Sequence, residues 1–224
     1  MKERYECNEG TITRAEQDLL ITKRAVIAGC GGLGCYAAEF LARIGLGHLS
    51  IIDGDVFTVS NLNRQLYSLE TNLGKSKAAE AKERLLRIRS DLSIEVFTVF
   101  INEDNAEELL KGHDIIIDAL DTVKTRLLVE RTADALGIPL VHGAVNGWTA
   151  QVCTVFPGDY TLSKLYPADS KTSRSSVISF TPAFCASLQT SEAVKVLLNK
   201  ENILKRKLII TNLLEKSFDI VNIS

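Results

Sequence analysis

The sequence predicts an α/β fold, a doubly wound and mostly parallel sheet extended by antiparallel strands toward the C-terminus. Three observations predict it. Apolar runs at 26–28, 48–53, 93–100, 114–118 and 139–143 alternate with helix-compatible segments, the spacing that parallel crossover connections need. The first run ends in glycines that lead into a helix. The run 151–156 follows Gly147 too closely for a crossover helix, so it adds antiparallel.

Taken in order, residues 11–23 read as a helix whose N-cap is Thr13, three residues before Glu16. The strand ending at Ala28 runs into Gly29-Cys30-Gly31-Gly32-Leu33-Gly34, and a helix over 33–44 is stopped by Gly45 and Gly47. Strand 48–53 ends in Asp53. Residues 55–69 are irregular and polar, and 75–89 are helical with Ala78, Ala81, Leu85 and Ile88 on one face. Helices at 103–110 and 122–136 separate the next strands. Residues 157–180 read as a mobile crossover loop, 181–199 as a buried helix, and 207–212 and 218–223 as closing strands. A chain of 224 residues fits one domain spanning 1–224, with 1–23 as its helical N-terminal segment.

Bulk properties exclude several function classes. A net charge of −2 supplies no general field for nucleic acid, so a nucleic-acid partner is not expected. The charged N-terminus lacks a signal-like apolar stretch and no run is long enough to span a membrane, which predicts a soluble cytoplasmic protein. The five cysteines form no Cys-x-x-Cys pair, so neither a disulfide framework nor a cysteine zinc site is expected.

The residues with chemistry cluster where such a sheet holds its ligand, outside the carboxyl ends of the strands. Gly29, Gly31, Gly32 and Gly34 open a helix whose free N–H groups suit phosphates. Asp53 suits ribose hydroxyls, or is a turn aspartate. Ser60-Asn61-Leu62-Asn63-Arg64-Gln65 gathers polar side chains around one arginine, as a ligand-binding or a solvated loop. Lys77 opens a helix, where the dipole disfavours a cation unless an anion is near, and Lys75 competes with it. Asp118 and Asp121 end a strand. One of them suits Mg²⁺, while Asp121 could instead cap the following helix or pair with Arg126. His142, with no partner identifiable, and Trp148 read as structural. Cys185 reads as core, and Cys30 and Cys35 lie near a helix N-terminus, which lowers a thiol pKa.

In Gly29-x-Gly31-Gly32-Leu33-Gly34, Asp53-x-Asp55, Ser60-Asn61-Leu62-x-Arg64-Gln65, Gly74-x-x-Lys77 and Asp118-x-x-Asp121 the sequence resembles the ThiF/MoeB/HesA family, bacterial relatives of ubiquitin-activating enzymes. The likeness runs from about Arg24 to the C-terminus and includes Gly143 to Trp148, Phe156-Pro157-Gly158 and Ser187-Leu188-Gln189. The resemblance implies a Rossmann-like sheet, a homodimer, and adenylation of the C-terminal glycine of a ThiS- or MoaD-like sulfur carrier. It implies ATP on the glycine loop with Asp53 on the ribose and Asp55 and Ser60 beside it. It further implies Asn61, Arg64 and Lys77 on the triphosphate, with Asp121 on Mg²⁺.

Three departures from the family pattern stand out. The two Cys-x-x-Cys pairs are missing, so no zinc is expected and residues 159–179 must be held otherwise. Cys7 occupies the place of an N-terminal arginine that reaches a neighbouring subunit's ATP, which leaves Arg14 or nothing in that role. The sulfur-carrying cysteine of the crossover loop has no counterpart between 157 and 184. Competing readings are activation of a tRNA-nucleoside or peptide carboxylate, a nicotinamide-dependent oxidoreductase using the same glycines and Asp53, and a catalytically silent partner subunit.

Overall fold

A computed structural model of the chain describes residues 3–166 and 176–223. Its centre is an eight-stranded sheet of order β3-β2-β1-β4-β5-β6-β7-β8. The strands are β1 (Arg24–Ala28), β2 (His48–Ile52), β3 (Ser93–Phe97), β4 (Ile115–Asp118), β5 (Leu140–Asn146), β6 (Thr149–Val155), β7 (Lys207–Asn212) and β8 (Ser217–Asn222). The first five pair in parallel and the last three add antiparallel, as the alternation and the short link after Gly147 predict.

Alternation along each central strand builds a core on either side of the sheet. Ala25, Ile27, Leu49, Ile51, Ile115, Ile117 and Val141 face one core, and Val26, Ile52, Ile116, Leu140 and Cys153 face the other. The first core is closed by α2 (Gly34–Ile44), α3 (Lys77–Ile88) and α7 (Phe180–Leu197). The second lies under α4 (Ala106–Leu110), α5 (Val123–Leu136) and α6 (Thr161–Leu165). Helix α7 is buried on most of its circumference, which explains why its sequence is apolar nearly all round.

Several boundaries differ from expectation. The first helix is only Arg14–Leu20 (α1), held by the expected Thr13–Glu16 capping box, and a 3₁₀ segment Glu3–Asn8 precedes it. Strand β3 stops at Phe97, whose carbonyl accepts the last bond from the β2 side, from Asp53 N–H at 3.0 Å, and residues 99–101 then border the cleft described below. Residues 167–175 of the expected mobile loop lie outside the described residues. Its first part carries α6, held by carboxylates of α5. Glu130 accepts from Leu162 N and from Ser163 N at 2.5 and 2.9 Å, and Asp134 accepts from Gly158 N and Tyr160 Oη at 2.6 and 2.9 Å. No helix among the described residues is long and apolar enough to cross a membrane.

Gly34 shows how tightly α2 seats on the loop before it, since a β-carbon there would lie 1.8 Å from the Gly29 carbonyl oxygen. Gly34→Ala is therefore expected to destabilise the fold by about 1–3 kcal/mol through backbone displacement, read as a lowered urea midpoint. A midpoint equal to that of the parent would show that the loop yields freely.

Candidate nucleotide-binding cleft

Strand order reverses direction between β1 and β4, and the cleft opens at their carboxyl ends, the switch point of the sheet. It holds about 570 Å³, within the range of small-ligand sites. Gly29 turns the chain out of β1 with φ +93°, and a β-carbon there would sit 2.8 Å from the Ala119 carbonyl, so only glycine lets the two strand ends meet. Gly31 and Gly32 continue along the wall and leave the backbone bare for a ligand.

The sequence candidates Gly29, Gly31, Gly32, Asp53, Asp55, Asn61, Arg64, Lys77 and Asp121 all border this cleft. Two candidates do not. Gly34 lies beneath the loop as the close-packing glycine. The Ser60 hydroxyl pairs with Thr58 Oγ1 at 3.0 Å, and Ser60 contributes instead through its carbonyl, which accepts from Arg64 Nη1 at 2.8 Å.

Asp53 sits just past β2 and accepts from Cys30 N at 2.6 Å and Asp55 N at 2.8 Å, so it braces the glycine loop as well as facing the cleft. Burial raises its pKa, and the two amide donors and Lys77 oppose that rise. Asn61 is buried, and its Oδ1 accepts from Thr58 N at 3.0 Å. Arg64 Nη1 also donates to Asn63 Oδ1 at 2.9 Å, so the guanidinium is held from one side. Lys77 is 6% exposed and its Nζ lies 2.9 Å from Asp55 Oδ2. The anion that offsets the unfavourable helix-start position is thus Asp55. Lys75 turns away to Glu80 at 3.4 Å.

Asp121 is exposed and makes no hydrogen bond or ion pair among the described residues. Both structural alternatives for it are overturned. Thr122 is the cap of α5, accepting from Thr125 N, and Arg126 points to Asp118 at 3.8 Å and to the Leu120 carbonyl. His142 is likewise not alone. It is fully buried, with Nδ1 2.6 Å from Asp118 Oδ2 and Nε2 3.0 Å from Tyr166 Oη. Burial lowers its pKa against the pull of Asp118.

Exposure, which the sequence leaves open for Cys30 and Cys35, decides against helix-start acidification, since both are buried. Burial raises the Cys30 thiol well above its ordinary value and Cys35 to about 12, despite amide contacts from Leu66 and others. Cys185 is buried in the core, as expected, at about 12. Cys7 is the exposed one, so the native protein is expected to consume one equivalent of a thiol reagent and five after denaturation. Native uptake of more than one would show that the glycine loop opens. Trp148 packs on Phe180, ring centres 5.0 Å apart.

Sequence reasoning missed part of the cleft. Val99 and Phe100, the latter 66% exposed, add apolar lining, and Arg126 and Tyr166 line the cleft as well. An apolar pair just past a strand carries no periodic signal, and nothing local marks Tyr166.

Comparison with known proteins follows the same outline. Residues 5–224 match the ThiF family. The chain is 31% identical over 211 residues to the SAMP-activating enzyme E1 of Haloferax volcanii, covering 92% of this chain and 78% of that protein. It is 32% identical over 215 residues to the sulfur carrier protein adenylyltransferase of Thermus thermophilus, covering 90% and 79%. Further relatives are longer, and the chain spans 41% to 57% of them. Among solved structures, E. coli MccB with ATP superposes with a TM-score of 0.86 at 22% identity, over 100% of this chain and 72% of that one.

Proposed function

This chain belongs to the ThiF family, and from that premise we propose that it is an ATP-dependent adenylyltransferase acting on the C-terminal glycine carboxylate of a small ubiquitin-like sulfur carrier, a ThiS- or MoaD-like protein ending in Gly-Gly. The observation that carries the reading is the meeting of Arg64, Lys77 and Asp121, which has no partner among the described residues, on one cleft floored by bare glycine backbone. A redox dinucleotide would need the glycines and Asp53 but would leave these three without a task.

The reaction joins a carrier carboxylate oxygen to the α-phosphorus of ATP and breaks the α-phosphorus bond to pyrophosphate. Nucleophile and electrophile are both anionic, so the barrier is lowered by cations placed where negative charge builds on the leaving group. In this reading Arg64 and Lys77 fill that role, the glycine-loop N–H groups orient the phosphates, and Asp53 takes the ribose. A carboxylate is already ionised near neutral pH, so the step needs no general base.

Mg²⁺ fits the donor set at Asp121. Among the described residues no group of three His, Cys, Asp or Glu side chains could hold a metal, and magnesium typically takes one or two protein carboxylates with phosphate oxygens and water completing its shell. When bound, the ion would neutralise phosphate charge. The proposal includes a cytoplasmic homodimer, as the family resemblance implies.

The test is ATP–pyrophosphate exchange with ThiS- and MoaD-like carriers, alongside titration of NADH and Mg-ATP. Exchange that requires the carrier, with binding of Mg-ATP and not NADH, is the expected result. NADH binding without exchange would overturn the reading, and exchange with a peptide in place of any carrier would reassign the substrate.

A further inference from the structure

Asp121 owes its place to the turn 118–121, and that turn is gripped from both sides. The Leu120 amide donates to Asp118 Oδ1 at 3.0 Å, and the Leu120 carbonyl accepts from Arg126 Nε and Nη2 at 3.1 and 2.5 Å. Arg126 is itself held by Tyr166, whose ring lies 5.5 Å below the guanidinium and whose hydroxyl accepts from Nη1 at 3.3 Å. Tyr166 Oη is fixed by Gln151 Nε2 at 2.5 Å and by His142 at 3.0 Å, and His142 returns to Asp118 at 2.6 Å. The contacts close a ring through Asp118, His142, Tyr166, Arg126 and Leu120.

Donor counting fixes the sense of the ring. Gln151 and Arg126 only donate here, so they occupy both lone pairs of the Tyr166 oxygen. The Tyr166 hydrogen must then go to His142 Nε2, which leaves Nδ1–H for Asp118. Each bond of the ring has a matched donor and acceptor in one arrangement, and buried networks of this kind hold their members in a single geometry. The sheet makes it possible: Asp118 and His142 are register partners on adjacent parallel strands, and Gln151 lies on the next strand.

We propose that Tyr166, held by His142, is a positioning residue that sets the Leu120–Asp121 turn for the metal-bound nucleotide. The inference rests on Asp121 being the metal carboxylate. Tyr166 touches no reacting atom in this account and acts through Arg126 on the turn.

The experiment measures Mn²⁺ binding in the presence of a non-hydrolysable ATP analogue, by electron paramagnetic resonance, on the full chain and on Asp121→Asn, Tyr166→Phe and His142→Asn. Nucleotide binding in EDTA and thermal midpoints are recorded alongside. Tyr166→Phe keeps the ring and loses only the hydroxyl. His142→Asn keeps a donor toward Asp118 but cannot reach Tyr166. Each is expected to weaken Mn²⁺ binding by about 10-fold or more, the scale for groups that orient a metal ligand. Metal-free nucleotide binding should stay unchanged in His142→Asn, which lies outside the cleft lining, and the double variant should bind Mn²⁺ no more weakly than either single one.

Normal Mn²⁺ affinity in Tyr166→Phe, with Asp121→Asn impaired, would overturn the positioning role and leave the metal assignment standing. Normal affinity in Asp121→Asn would overturn the assignment and the inference together. Equal losses with and without metal would reduce Tyr166 to a general packing residue. If Tyr166→Phe fails to fold, His142→Asn decides on the same readings.

Discussion

Asp121→Ala is expected to abolish carrier-dependent pyrophosphate exchange while the thermal midpoint stays that of the parent. The effect is large because, among the described residues, Asp121 is the one candidate carboxylate bordering the cleft with both oxygens uncommitted. Asp53 is spent on the Cys30 and Asp55 amides, Asp55 on Lys77, and Asp118 on His142 and Leu120. None of these neighbours can offer both oxygens without breaking an existing contact. Stability is spared for the same reason: removing a carboxylate that forms no contact among the described residues leaves no buried donor unpaired. Exchange at the parental rate would take Asp121 out of the metal site. A lowered midpoint would mean that the turn needs the carboxylate for folding.

Arg64→Ala comes next, with an expected loss of about 10²-fold or more in exchange rate, the scale seen when a preorganised donor to a developing charge is removed. The side chain is pre-positioned by the Ser60 carbonyl and Asn63 on one nitrogen, so little ordering is required when nucleotide arrives. Arg64→Lys should recover only part of the loss, because an ammonium lacks the planar fork that matches phosphate oxygens. A variant with normal exchange and reduced stability would favour the loop-packing role that composition alone left open.

Lys77 presents a contrast. Its ammonium is buried and paired with Asp55, so substitution there removes a cleft cation and unpairs a carboxylate at once. Arg64 is the cleaner probe because its fixed nitrogen leans on a carbonyl and an amide, neither of which carries charge.

Much of the fold was legible in the chain. The glycines, the Thr13–Glu16 box, the five alternating strands and the antiparallel β6 each rest on a pattern of a few residues, which backbone sterics and one-sided burial fix locally. The same holds for the cleft glycines and Asp53, whose spacing reports a strand, a turn and a helix start. Local pattern was weaker at edges: Asn146 in β5 and Phe97 in β3 mark boundaries set by which neighbouring strand is present to pair.

Partnership is what the chain alone left open. His142 reads as solitary because Asp118 and Tyr166 each stand 24 residues away, and only the register of β4 with β5 and the return of the chain after α6 bring the three together. Cys30 and Cys35 illustrate the same limit in electrostatics. A helix start acts over one turn, but desolvation depends on every element packed around the thiol, and here burial dominates. The sequence therefore determined the order of elements and the chemistry available at the strand ends. The tertiary structure decided which of those groups stay free for a ligand, because a side chain's commitments are set by neighbours distant in the chain.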